Sequence, residues 1–243
     1  MNRSDGRKPE EIRKLLIDPF YLSTVKNSVM VTMGGTRVLC CASLEKTLPM
    51  WLRGQGKGWI TAEYGMLPKS SPERIVRERR SVSGRTQEIQ RLIGRSLRAA
   101  VKLEKLGERL IMVDCDVIQA DGGTRTASVT GGFVALSILI DEMIKKGDIS
   151  ENPILQPVCA VSAGIVSDTV CIDLDYPEDS SALVDLNMVF TSSTELVEVQ
   201  GTGEGRSFSS TELAKMIELG KQAVPSILSS QEQAISEYLK RGA

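Results

Sequence analysis

Apolar and β-branched residues gather in short runs along most of the chain and recur at helical spacing in three longer stretches. Residues 28–44, Ser-Val-Met-Val-Thr-Met-Gly-Gly-Thr-Arg-Val-Leu-Cys-Cys-Ala-Ser-Leu, hold two β-rich runs joined at Gly34-Gly35, which is a hairpin signal. Further β-type runs lie at 58–66, 109–119, 158–166, 169–174, 183–191 and 195–200, each bounded by Gly, Pro, Asp or charged turn residues. The first helical stretch spans about 86–105, where Ile89, Leu92, Ile93, Leu97, Ala100 and Leu103 form an apolar stripe. Arg91, Arg95, Arg98 and Lys102 make a basic stripe on another face of it. The second, about 126–146, is apolar or small from Val129 to Ile140 and is expected inside the domain. The third starts near 210, with Ser209 and Glu212 spaced as a capping box, and Pro225 is expected to kink or split it.

Strands, helix, strand, helix, strands, helix is the order of an α+β fold with mixed β-sheets and packed helices. No Pro/Gly/Ser-rich linker interrupts it, so residues 1–243 are expected to form one domain. The order hints at duplicated halves, each β-rich and closed by a helix, although no sequence repeat accompanies it.

Composition narrows the class. With 41% hydrophobic and 25% charged residues the chain reads as an ordinary globular protein with little room for long disorder. No run approaches the roughly eighteen uninterrupted apolar residues of a membrane span, and Met1-Asn2-Arg3-Ser4-Asp5-Gly6-Arg7-Lys8 lacks the apolar core of a signal peptide. A cytoplasmic location is the expectation. Cys40, Cys41, Cys115, Cys159 and Cys171 are odd in number and follow no CxxC pattern, so buried reduced thiols are expected. The net charge of −1 hides a split: residues 1–110 hold 22 Lys+Arg against 11 Asp+Glu, and 111–243 hold 8 against 20. That asymmetry suits a basic surface for a polyanion in one part and carboxylate chemistry, or a self-contact, in the other.

Chemistry concentrates in three places. Gln119-Ala120-Asp121-Gly122-Gly123-Thr124-Arg125-Thr126 joins a predicted strand to the buried helix. Glycines admit close backbone approach, amides at a helix start point outward, and Arg125 adds a planar fork for phosphate oxygens. The same spacing also suits a plain helix start capped by Thr124 or Thr126. Arg85, at the start of the basic helix, is a candidate second anion contact or simply an exposed first-turn arginine. The loop before it, Lys69-Ser70-Ser71-Pro72-Glu73-Arg74-Ile75-Val76-Arg77-Glu78-Arg79-Arg80, suits sequence-independent contact with a phosphate backbone, or else a solvated or oligomer-contact loop. Arg74, Arg77, Arg79, Arg80, Arg91 and Arg98 are the candidate RNA contacts.

Between Asp173 and Asp185 stand five carboxylates, and Asp185 interrupts an apolar strand with Asn187 on its face. Oxygen-rich clusters attract Mg²⁺ when substrate phosphates complete the shell, though a turn plus a strand edge reads the same way. Neither GxxxxGK[ST] nor a full GxGxxG occurs, which disfavours a nucleotide triphosphatase. No histidine occurs either, which removes Ser-His-Asp, Cys-His and two-histidine hydrolysis. Phosphorolysis needs no such base, because phosphate is already a nucleophile.

Trp59–Pro68, Gly84–Arg98, Cys115–Thr126, Leu174–Asp179 and Val199–Thr202, in that order, closely resemble the ribonuclease PH family, as does Arg3-Ser4-Asp5-Gly6-Arg7. The resemblance covers nearly the whole chain. It implies the ribonuclease PH fold (ribosomal protein S5 domain 2-like), a homo-hexameric ring built as a trimer of dimers, and phosphorolytic 3′→5′ trimming of precursor tRNA, with rRNA as a further substrate. It further implies that Arg85, Gly123, Thr124 and Arg125 bind inorganic phosphate, that Asp179 and Asp185 are the essential aspartates and hold Mg²⁺, and that the arginine-rich loop grips tRNA. That loop lacks the family's usual histidine in Ser70-Ser71-Pro72-Glu73-Arg74. Two other classes stay open: a non-catalytic RNA-binding subunit of an exosome-like ring, and a small-molecule phosphate transferase.

Overall fold

The computed structural model describes residue 3, residues 5–78 and residues 81–241. The first β-rich segment forms a five-stranded sheet of β1 (Leu15–Asp18), β2 (Ser28–Met33), β3 (Thr36–Leu44), β4 (Trp59–Met66) and β5 (Leu110–Gln119), in the order β1-β2-β3-β5-β4. β2 and β3 are the expected hairpin turning at Gly34-Gly35, with Met33 opposite Thr36. β4 pairs parallel to β5, and α1 (Gly84–Ala99) and α2 (Leu103–Leu106) provide the crossover between them. The sheet is therefore mixed.

The second segment is purely antiparallel: β6 (Val158–Val166), β7 (Thr169–Ile172), β8 (Val184–Thr191) and β9 (Leu196–Thr202), in the order β7-β6-β8-β9. α3 (Thr124–Lys146) packs on β2, β3 and β5 with one face and on β6 and β8 with another. Enclosed from both sides, it can be apolar all round, and residues Val129 to Ile140 are all buried. It is long and apolar enough to cross a membrane, but 83% of its most apolar window is buried inside the protein, as in a core helix. α4 (Tyr176–Ser181) links β7 to β8, and α5 (Ser210–Arg241) closes the chain against both cores. Each half is thus a sheet followed by a long helix, but only the first contains a parallel pair.

Three expectations change. The first helix starts at Gly84, because the Ser83 hydroxyl accepts the Thr86 amide at 3.2 Å, and it stops at Ala99 rather than running to 105. Val101 bridges to Ile154 there instead. Pro225 does not split α5, which runs through it unbroken. The proline lies on the exposed face, while Ala223, Val224 and Ile227 stay buried on either side of it. The residues between 175 and 181 form the short α4, not a turn: Asp175 and Glu178 cap each other reciprocally at 3.0 and 3.1 Å, and Pro177 sits in the first turn. All five cysteines are free and four are buried, and burial pushes the Cys159 thiol up to about 12.

Candidate active site

A cleft of about 1640 Å³ opens between the two sheets, bordered by the ends of β4 and β5, the starts of α1 and α3, α4, and β8. One wall is built by the turn leaving β5. Gly122 and Gly123 hold φ of +70° and +66°, which L side chains rarely adopt, and neither has room for a Cβ. At Gly122 a Cβ would lie 2.7 Å from the Asp175 carbonyl carbon, and at Gly123 one would lie 2.9 Å from both Arg13 Nη2 and Met33 Cε. No side chain caps α3 at this end. The Thr126 hydroxyl donates to the Gly123 carbonyl at 2.9 Å, and that of Thr124 pairs with the Tyr64 hydroxyl at 2.8 Å. The simple threonine cap is therefore not what forms, and Gly122, Gly123, Thr124 and Arg125 line the cleft around a helix start that no side chain caps.

Two guanidinium groups reach the same space. Arg125 projects from the first turn of α3 and is only loosely paired, 3.9 Å from Glu88. Arg85 projects from the first turn of α1. Both fields converge on the neighbouring groups. Burial raises the Asp179 carboxyl above its usual range while Arg125 and Arg85 pull it back, and buried Tyr64 shows the same pair of opposing arginines.

The facing wall carries the carboxylates. Asp179 sits on α4, directly after Glu178. Asp185 lies in β8, opposite Gly164 of β6 and Thr202 of β9. The Asn187 amide, two residues on and on the same face, donates to the two Asp185 oxygens at 3.4 and 3.3 Å. Burial and repulsion from Asp179 push Asp185 up to about 6, with Glu204 adding to the rise and Arg125 opposing it. Two half-buried carboxylates that repel each other form a donor set a divalent cation would relieve. Among the described residues no group of three or more His, Cys, Asp or Glu suits a metal, so water or substrate oxygens would have to complete the shell of any ion held by this pair.

Arg74 and Arg77 line the outer cleft, and Arg79 and Arg80 fall outside the described residues. Arg91 and Arg98 do not reach the cleft. They border a separate cavity of about 270 Å³ along α1, and Arg98 is held by packing, stacked 4.4 Å over the Trp59 ring and donating to the Ile60 carbonyl at 2.8 Å. Sequence reasoning passed over Tyr64 and Arg13, and counted Asp173 only as one of the five carboxylates between Asp173 and Asp185. The Tyr64 position carried a weak signal, a polar-tipped residue in a β run beside the glycine turn in family order. The buried pairing of Arg13 with Asp173, 160 residues apart, carried none.

An amide-lined helix start, two convergent arginines and a facing carboxylate pair make this the cleft of a phosphate-handling enzyme rather than a simple binding module. The sequence matches the pattern of the 3′ exoribonuclease family, domain 1, over residues 11–139 and domain 2 over residues 156–223. It is 51% identical over 233 residues to ribonuclease PH of Neisseria gonorrhoeae, covering 95% of this chain and 96% of that one. It is 50% identical over 240 residues to ribonuclease PH of Bacillus subtilis, covering 98% of each. The fold is similar to rice Rrp46 (TM-score 0.75, 18% identity, 96% of this chain and 100% of that one). It is also similar to a chain of the Archaeoglobus fulgidus exosome with RNA bound to the active site (TM-score 0.78, 21% identity, 94% and 92%). The chain belongs to the ribonuclease PH family of 3′ exoribonucleases.

Proposed function

We propose that the cleft removes 3′-terminal nucleotides from precursor tRNA, and from rRNA, by seating inorganic phosphate between Arg85, Arg125 and the Gly123-Thr124 amides. The chain is a phosphorolytic 3′→5′ exoribonuclease. The observation that carries the reading is that Arg85, Arg125, Asp179 and Asp185 line one cleft beside a helix start with no side-chain cap.

An oxygen of HPO₄²⁻ forms a bond to the phosphorus of the last RNA linkage, the bond from that phosphorus to the preceding 3′-oxygen breaks, and the 3′-oxygen takes up the proton. A nucleoside diphosphate leaves and the RNA ends one nucleotide shorter with a free 3′-hydroxyl. No protein base is required, in keeping with a chain that has no histidine. Arg85 and Arg125 hold the anion in line and neutralise charge, and Thr124 is fixed for the same task by Tyr64. Asp179 and Asp185 would hold Mg²⁺, which when bound stabilises charge on the phosphates. Arg74, Arg77, Arg79 and Arg80 grip the RNA backbone on this reading. The working form is a cytoplasmic homo-hexamer, a trimer of dimers.

A tRNA carrying a short 3′ extension tests this. With phosphate, nucleoside diphosphates should accumulate as the extension shortens; without it, the RNA should stay intact. Equal trimming in phosphate-free buffer would overturn the reading, and RNA binding without diphosphate release would mark a non-catalytic ring subunit.

A further inference from the structure

Both walls of the cleft are fastened to one buried ionic network that the chemistry itself does not use. Its centre is Asp173, fully buried and at φ 51°, a left-handed conformation that aspartate tolerates better than most residues. The Arg13 guanidinium grips the Asp173 carboxylate with Nη2 at 2.6 Å and Nε at 3.0 Å, and the Arg13 amide adds a third bond at 2.6 Å. The rest of that guanidinium goes to the phosphate turn: Nη1 donates to the Asp121 carbonyl, and Nη2 lies 3.4 Å from the Gly122 carbonyl. Thr36, also buried, holds the turn from the other side, accepting the Asp121 amide at 2.9 Å and donating to the Gly122 carbonyl at 2.6 Å.

The second arm runs to the carboxylate wall. Arg3, whose side chain is fully buried, donates to the Asp173 carbonyl at 2.9 Å and makes a bidentate pair with Glu178 at 2.7 and 2.6 Å. Glu178 precedes Asp179 on α4 and is also half of that helix's capping box. A planar, two-point guanidinium contact fixes orientation as well as distance, which a lysine cannot reproduce. Arg3 and Glu178 are 175 residues apart in sequence, so this contact, with the longer Arg7–Glu178 ion pair at 3.7 Å, ties α4 to the start of the chain.

Resting on the phosphorolytic reading above, we propose that Arg13 and Arg3 are positioning residues, two arms of one clamp rooted on Asp173. Arg13 sets the phosphate turn, and Arg3, through Glu178, sets Asp179. The arms serve different ligands and are therefore separable. In-line attack tolerates little misplacement, since an error of about 1 Å costs on the order of 100-fold in rate.

The experiment compares Arg13→Lys and Arg3→Lys with the unaltered protein in titrations with inorganic phosphate and, separately, with Mn²⁺, alongside melting curves, oligomeric size and the KM for phosphate. Arg13→Lys should raise the phosphate Kd and KM about tenfold and leave the Mn²⁺ Kd nearly unchanged, and Arg3→Lys should do the reverse. A folded Arg13→Lys protein with unaltered phosphate affinity overturns the proposal. So does loss of both ligands alike in both variants, in step with a lower melting temperature, because that is what a purely structural network gives. If Arg13→Lys does not fold, Thr36→Val decides: it keeps the shape and removes the hydroxyl, so weakened phosphate binding supports the clamp and unchanged binding overturns it. Diphosphate release by the unaltered protein is measured first. Its absence removes the phosphorolytic reading and the clamp with it, whereas its presence with an indifferent Arg13→Lys removes the clamp alone.

Discussion

At the scale of single residues, Asp185 carries the conflict between stability and function most openly. Its carboxyl is raised to about 6 by burial and by Asp179, so ionising it costs the native state free energy. The sign follows: the native state is favoured below the ordinary carboxylate range near pH 4, and that advantage is lost as pH rises through about 6. Asp185→Asn should therefore be more stable than the unaltered protein at pH 8, by on the order of 1 kcal/mol after solvent screening, with the difference vanishing near pH 4. Chemical denaturation at the two pH values checks it, and a variant less stable at pH 8 refutes the assignment. Phosphorolysis by this variant should be lost at every pH, whereas in the unaltered protein it should decline as pH falls below about 6. Arg125→Ala should keep the fold, because its ion pair among the described residues is long at 3.9 Å, yet raise the KM for phosphate by about 100-fold. Steady-state rates at varied phosphate decide that case. Asp185 was legible in the sequence because a carboxylate in an apolar strand is costly without a purpose; the role of Asp173 was not, because its reason for burial lies in Arg13, distant in sequence.

At the scale of elements, the sequence was most legible where one physical signal dominated. β-branched runs bounded by turn residues located eight of the nine strands among the described residues, and an all-apolar stretch located α3. β1 has only four residues, Leu15–Asp18, at the edge of its sheet, too short for a pattern to emerge. α4 went unread as a helix because its charges suggested a cluster, although Asp175, Pro177 and Glu178 carry the capping signal. Pro225 does not split α5, because a single proline on the exposed face removes one backbone bond while Ala223, Val224 and Ile227 keep the buried face packed. Its exposed position makes a prediction: Pro225→Ala restores a backbone donor to α5 and should stabilise the protein by roughly 1–3 kcal/mol, partly offset by a freer unfolded chain. A lower melting temperature in this variant would show that the helix needs the proline's shape for its packing.

For the whole molecule, the charge split along the chain is mixed again within one cleft. The first 110 residues lend it Arg74, Arg77 and Arg85 but also Glu73, Glu78 and Glu88, and the remainder lends Asp179, Asp185 and Glu204 but also Arg125. On the phosphorolytic reading Arg74 and Arg77 contact the RNA backbone and Asp179 and Asp185 serve the reaction centre, so affinity should come from the former and turnover from the latter. Exposed Arg74 and Arg77 have no ion-pair partner among the described residues at 4 Å or less, leaving them free to replace counterions on the RNA. For single-stranded RNA each such contact contributes about 0.7 to the slope of log affinity against log salt. The double variant Arg74→Ala, Arg77→Ala should then bind a long 3′ tail more weakly and with a slope shallower by about 1.4, while the KM for phosphate stays put. Binding titrations across a range of salt read this directly. An unaltered slope would move the RNA grip away from this loop, and a raised phosphate KM would show that the RNA contacts and the reaction centre are not separate.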